Sequence, residues 1–134
     1  SCRGAGGIDW SGHIYTRVRN TIVAFNGIDC AGLPGGGPPA IETLGYNIDG
    51  DGTCGFKLAT DLPKTNPKLG SLGYYGGTTL VYGLVIGSPA IDSGNPGGCP
   101  AKDQRRVARP QDGNADGKPT CDRGPFERRP GGSP

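Results

Sequence analysis

Methionine is absent from the 134 residues, histidine and tryptophan occur once each, and only three phenylalanines are present. A lone histidine, His13, leaves too few ligands for a zinc site, and no CxxC pair or CxxCH run exists to hold zinc or attach haem. His13 has no serine or cysteine partner at a catalytic spacing and reads as a surface or turn residue. Charge is also sparse. Charged residues make up 19%, and 14 Lys plus Arg against 12 Asp plus Glu leave a net charge of +2, too weak to imply a nucleic-acid partner. No stretch approaches the roughly 20 apolar residues of a transmembrane span. Without methionine, residue 1 is read as something other than a translational start, so the lack of a visible signal peptide carries no weight.

Glycine and proline are abundant instead. The 27 Gly and 13 Pro account for 40 of the 134 residues. These are the two poorest helix formers, so long helices are excluded, and glycine does not recur at every third position as collagen requires. Short β-branched runs argue against full disorder. Ile14-Tyr15-Thr16-Arg17-Val18 alternates, and so does Thr21-Ile22-Val23-Ala24-Phe25, with turns at Asn20 and at Asn26-Gly27. Leu44 to Ile48 reads as a further short strand, and Leu69, Leu72 and Thr79 to Ile86 supply more apolar segments. Short strands recurring at roughly 20-residue intervals suit a parallel β-helix, with an antiparallel sandwich as the other arrangement.

Five cysteines stand at Cys2, Cys30, Cys54, Cys99 and Cys121. The natural pairing is two local disulfides, Cys30–Cys54 and Cys99–Cys121, which point to an extracytoplasmic location: secreted, cell-surface or periplasmic. Cys2 is left over.

Several motifs occur in order from Asn20 onward. Asn20-Thr21-Ile22-Val23-Ala24-Phe25-Asn26 comes first, then Leu44-Gly45-Tyr46-Asn47-Ile48-Asp49 and Asp51-Gly52-Thr53-Cys54. Gly87-Ser88-Pro89-Ala90-Ile91-Asp92-Ser93-Gly94 and Asp103-Gln104-Arg105 follow, and Cys121-Asp122-Arg123-Gly124-Pro125-Phe126-Glu127 closes the set. The set resembles the choice-of-anchor Q domain at the C-terminal end of bacterial surface β-helices, departing from it at Arg106 and at Arg123-Gly124-Pro125. The resemblance implies an all-β, short right-handed parallel β-helix of few coils with a loop-rich, disulfide-stapled C-terminal cap. Residues 1–127 would form one domain, with coils in 1–94 and the cap in 95–127, and 128–134 a flexible tail.

Two segments look like the first half of a calcium loop. Asn47-x-Asp49-x-Asp51-Gly52 and Asp112-x-Asn114-x-Asp116-Gly117 each place three oxygen side chains at alternate positions before a glycine. The twelfth positions hold Leu58 and Arg123 in place of the expected glutamate, and Asp122 stands one residue earlier as a substitute ligand. Asx-turns explain the same residues without metal. Asp49, Asp51, Asp61 and Asp92 match the carboxylate type of β-helix glycoside or uronate enzymes, but nothing in their spacing fixes a catalytic pair. Trp10, Tyr15, Tyr74 and Tyr75, with Tyr82, are candidates for a carbohydrate or partner contact.

The expectation is a non-catalytic extracytoplasmic domain that packs on a partner protein or on upstream coils, as an accessory subunit of a membrane-bound or extracellular assembly. Calcium is the one cofactor suggested. The alternatives are a carbohydrate-binding module, a calcium-stabilised adhesin module and a degenerate polysaccharide-acting enzyme.

Overall fold

The computed structural model describes residues 8–9, 16–31 and 41–132. Cys2, Trp10, His13 and Tyr15 lie outside the described residues. The chain divides into two compact units, Ser1–Asn66 and Pro67–Pro134.

The first unit contains β1 (Ile8–Asp9), β2 (Thr16–Val18), β3 (Ile22–Val23), β4 (Cys30–Ala31), β5 (Ile41–Thr43), β6 (Ile48–Asp49) and β7 (Leu62–Pro63). Among the described residues its pairings are parallel: β1 with β4, β2 with β5, and β3–β6–β7 as a three-stranded sheet. The strands are short because corners interrupt them. Asn20 takes a left-handed conformation (φ 50°) between β2 and β3, and Gly45 (φ 87°) and Tyr46 (φ 61°) do so between β5 and β6. Asparagine tolerates that region better than most residues, and glycine enters it freely. Gly45 is required for space as well, since a Cβ there would lie 2.6 Å from Thr60 Oγ1.

These two corners are tied together by the Leu44 N–H, which donates to Val18 O at 2.8 Å, and by Asn47. Asn47 is fully buried. Its Oδ1 accepts from Thr21 N at 3.0 Å, and its Nδ2 lies 3.1 Å from Val18 O, 2.8 Å from Thr43 Oγ1 and 3.2 Å from Asp61 Oδ1. Buried amides need such partners, because an unmet polar group costs about 1–3 kcal/mol. Val18, Val23, Cys30, Ile41, Cys54 and Phe56 form the small core, and the Cys30–Cys54 disulfide crosses it.

The second unit opens with a hairpin of β8 (Leu69–Gly73) and β9 (Val81–Leu84). The strands are antiparallel, with Leu69 opposite Leu84, Leu72 opposite Tyr82 and Gly73 opposite Val81, and a register shift between Leu69 and Leu72. After it the chain is loop, apart from the 3-10 turn Pro96–Gly98 and an isolated bridge between Lys102 and Ala108. Buried carboxylates organise this loop. Asp103 Oδ1 accepts from Arg105 N and Val107 N, while its Oδ2 accepts from Glu127 N and pairs with Arg105 Nη2 at 2.6 Å. Asp122 accepts from Asp92 N and Arg128 N, and Glu127 accepts from Gln111 N and Asp122 N. The Arg105 guanidinium lies 3.5 Å over the Phe126 ring, and the Cys99–Cys121 disulfide closes the segment.

The right-handed parallel β-helix expected from the sequence is not what forms. The described strands make four separate sheets of two or three strands, with no closed or curled solenoid among the described residues, and the last sheet is antiparallel. Among the described residues the one third strand in the parallel ladders is β7, and Pro63, which faces Asp49, has no N–H for a further strand. Leu44 to Ile48 is also not one strand: it is the Gly45-Tyr46 corner followed by β6. Arg128, placed in the tail by sequence, is 4% exposed and donates from Nη1 to Leu84 O at 2.9 Å.

Candidate functional site

In the first unit, β4 and β6 bring three aspartates together. Asp29 immediately precedes β4, Asp49 closes β6 and Asp51 follows it by two residues. One carboxylate oxygen from each lies within 4.8 Å of the others. Asp29 and Asp49 are buried and Asp51 is exposed. A hollow of about 320 Å³, lined by Phe25, Asn26, Gly27, Asp29, Gly50, Asp51 and Asn66, opens onto the group.

Backbone N–H groups build the cluster. Asp29 Oδ2 accepts from Asp51 N and Asp51 Oδ2 from Asp29 N, both at 3.0 Å, so the two loops clasp each other. Asp29 Oδ1 accepts from Asn26 N. Asp51 Oδ1 accepts from Thr53 N and Thr53 Oγ1, and Asp49 accepts from Gly52 N and Cys54 N at 2.9 Å each. Burial, reinforced by the charge on Asp51, raises the Asp49 carboxyl above its ordinary range against those two hydrogen bonds. At Asp51 burial pulls upward too, but the Thr53 hydroxyl, the Asp29 and Thr53 amides and Asp49 prevail and bring it to about 2. Three carboxyl groups with hard oxygens thus face one another. Asp29 Oδ2, both Asp49 oxygens and Asp51 Oδ2 each accept one of these hydrogen bonds and keep a second lone pair, so the set can hold a divalent cation.

The sequence motifs reach this group only in part. Asp49 and Asp51 belong to it, but Asn47 is turned into the corner and Asp29, absent from the motif, takes its place. Asp61 is likewise committed, accepting from Asn47 N, Leu58 N and Thr43 Oγ1. In the second loop the side chains serve the backbone. Asp112 accepts from Asp116 N and Gly117 N, Asn114 from Asp116 N, and Asp116 from Lys118 N. Asp122, the proposed twelfth-position substitute, is fully buried beneath Arg128 and Asp92. Its carboxyl is pushed up to about 7, chiefly by burial, with smaller contributions from the charges of Glu127 and Asp92.

The aromatic candidates separate to opposite sides of the hairpin. Tyr75 is on the inner side: its ring would meet a Cβ at Gly73 at 3.2 Å and stands edge-on to Phe126 at 5.5 Å, with its hydroxyl on Ser71 O. Gly73 faces buried Val81 on that side. Leu72 and Tyr82 oppose each other on the outer side, 49% and 50% exposed. Alternation carries the same face to Tyr74 and Leu80, 58% and 50% exposed. Leu84, two residues beyond Tyr82, is buried, so this face is covered at one end and bare at the turn end. Two carbonyls along the outward edge of β9 are taken: Leu80 O, just before the strand, accepts from Gln104 Nε2, and Leu84 O accepts from Arg128 Nη1. Leu72, Leu80 and Asp29 escaped the sequence reading as site residues. The two leucines had a signal, since Leu80 and Tyr82 alternate with buried Val81, whereas Asp29 had none.

Among the described residues no helix is long and apolar enough to cross a membrane. The two intramolecular disulfides are consistent with an oxidising, extracytoplasmic environment. No protein-family model, curated protein or solved structure matches the chain. With no matching family model, and no stacked solenoid among the described residues, the resemblance to the choice-of-anchor Q domain does not hold; its motif residues Asp92, Asp103 and Asp122 work as local backbone clamps.

Proposed function

We propose that the chain is a non-catalytic interaction domain of an extracytoplasmic, oxidising compartment, and that it meets its partner through the bare outer face of the β8–β9 hairpin. The observation that carries this reading is the set Leu72, Tyr74, Leu80 and Tyr82, four large side chains about half exposed on one face of a hairpin whose other face is packed. Apolar patches of this kind mark contact surfaces. A sugar-binding face would set amide, carboxylate or guanidinium groups beside the rings. The nearby Gln104 instead donates its amide to Thr79 and Leu80, which favours a protein. The clustered carboxylates suit a scaffold, because each holds backbone N–H groups in place. The test is the native mass of the particle that carries the chain, isolated gently from its source. A mass well above that of the chain itself supports the reading, and a chain recovered alone that also stays monomeric at high concentration refutes it.

A second reading concerns the Asp29, Asp49 and Asp51 group, which suits calcium by its hard oxygens. In this reading calcium joins the two clasped loops and stiffens the first unit, as in a calcium-stabilised adhesion module. For a site of about 0.5 mM affinity, 5 mM calcium would stabilise the fold by about 1.4 kcal/mol. Melting of the intact chain in calcium and in chelator checks this. A rise of several degrees that Asp51→Ala removes supports the site, and identical melting curves reject it.

A further inference from the structure

We infer that the bare hairpin face binds a second copy of this chain, forming a reversible two-fold dimer. The inference rests on the interaction-domain reading and names its partner. Three observations lead to it. First, the hairpin has no charged residue from Leu69 to Leu84, Leu72, Tyr74, Leu80 and Tyr82 are its exposed large side chains, and the whole chain carries a net charge of only +2. Two such faces meet without like-charge repulsion, and a two-fold contact needs a patch that complements itself. Leu72 and Tyr82 stand opposite each other across the hairpin. Turning a second copy about an axis between them lays each leucine on the other copy's tyrosine.

Second, the face offers side chains for the contact. The outward carbonyls of Leu80 and Leu84 are taken by Gln104 and Arg128, and these side chains stand in the way of a strand added along β9. Third, the area sets the strength. Four half-exposed side chains of this size present on the order of 400 Å². A two-fold contact would then remove about 800 Å² in all, well short of a permanent dimer and in the range of weak, reversible association. The dimer therefore fills with concentration.

Sedimentation velocity of the intact, oxidised chain from about 5 to about 500 µM tests this. The expected result is a weight-average mass that climbs from 13.7 kDa toward twice that value. Tyr82→Lys and, separately, Leu72→Lys place like charges across the axis and should hold the mass at the monomer value throughout. Both positions are about half exposed, so these variants are expected to fold, which intact disulfides and an unchanged circular dichroism spectrum would verify. Ile86→Lys makes the same charge change at an 82% exposed site beyond the covered end of β9 and should dimerise as the parent does. A flat monomer mass for the parent chain, or dimerisation unaffected by both Tyr82→Lys and Leu72→Lys, overturns the inference. A monomeric chain recovered from its source in a heavier particle leaves the interaction-domain reading standing with a different partner. A monomeric chain recovered alone removes both.

Discussion

Replacing Asp49 by alanine should destabilise the first unit by about 3 kcal/mol, whether or not calcium is present. Asp49 is fully buried, and its two oxygens accept from Gly52 N and Cys54 N at 2.9 Å. A hydrogen bond to a charged group contributes about 1.5–3 kcal/mol, so the two together contribute roughly 3–6 kcal/mol. Against this stands the cost of keeping a carboxylate out of water, visible in its raised pKa. The alanine variant recovers that cost but leaves two amides without acceptors in a place the structure shields, so about 3 kcal/mol of loss remains. Asp49→Asn keeps one acceptor and turns an amide toward the other donor, so about half the loss is expected. Urea unfolding of the oxidised chain at pH 7 in chelator, followed by circular dichroism, measures both. A loss below about 0.5 kcal/mol for Asp49→Ala would refute the clamp. Destabilisation seen only in calcium would show that Asp49 acts through the ion and not through the backbone.

Other predictions concern the cross-links and the buried acids. Cys30 and Cys54 are 24 residues apart, and chain-entropy arithmetic for that loop gives about 3.5 kcal/mol. The double variant Cys30→Ala/Cys54→Ala should lose about that much in denaturant unfolding, and a loss below about 1 kcal/mol would show the core holding without the staple. Asp122 has a folded-state pKa of about 7, above its ordinary 3.8, so the folded chain holds this proton more tightly than the unfolded chain. Its contribution to stability is full below about pH 4, declines as pH rises, and is gone above about pH 7; the raised pKa sets an upper bound of about 4 kcal/mol. The stability difference between the parent and Asp122→Asn should therefore change across pH 4–8, and a constant difference would contradict the burial argument. Asp103 runs the other way. Although burial opposes it, hydrogen bonds from Glu127 and Val107 and the Arg105 guanidinium hold it below the usual range. Asp103→Asn should cost stability at neutral pH, and progressively less as acid protonates the parent, in the same unfolding assay.

The parts of the fold written in local sequence were legible. Ile22-Val23 forms a strand beside the Asn20 corner, and the disulfides join cysteines 24 and 22 residues apart. Long-range arrangements were not legible. Recurrent short strands suggested a solenoid, and parallel pairing does occur, but a ladder stops where a residue such as Pro63 supplies no donor. The antiparallel turn around Tyr74 to Leu80 rests on Tyr75 folding under Gly73 toward Phe126 and Arg105. Those residues are 30 or more positions away. The acidic group shows the same limit. Alternate oxygen side chains after Asn47 suggested a ligand row, yet Asn47 is drawn away by Val18, Thr43 and Asp61. Asp29 enters because β4 and β6 place its loop against Asp51. Spacing along the chain identifies who can be a ligand, and the stacking of corners decides who is.

The most direct test of the central claim is hydroxyl-radical footprinting of the particle isolated from its source, with the isolated chain at about 1 µM as the reference. Burial of the hairpin face predicts that Leu72, Tyr74, Leu80 and Tyr82 are labelled several-fold less in the particle, while Ile86 is labelled equally in both. Equal labelling of all five residues in particle and isolated chain would contradict the claim that this face is where the protein meets its partner.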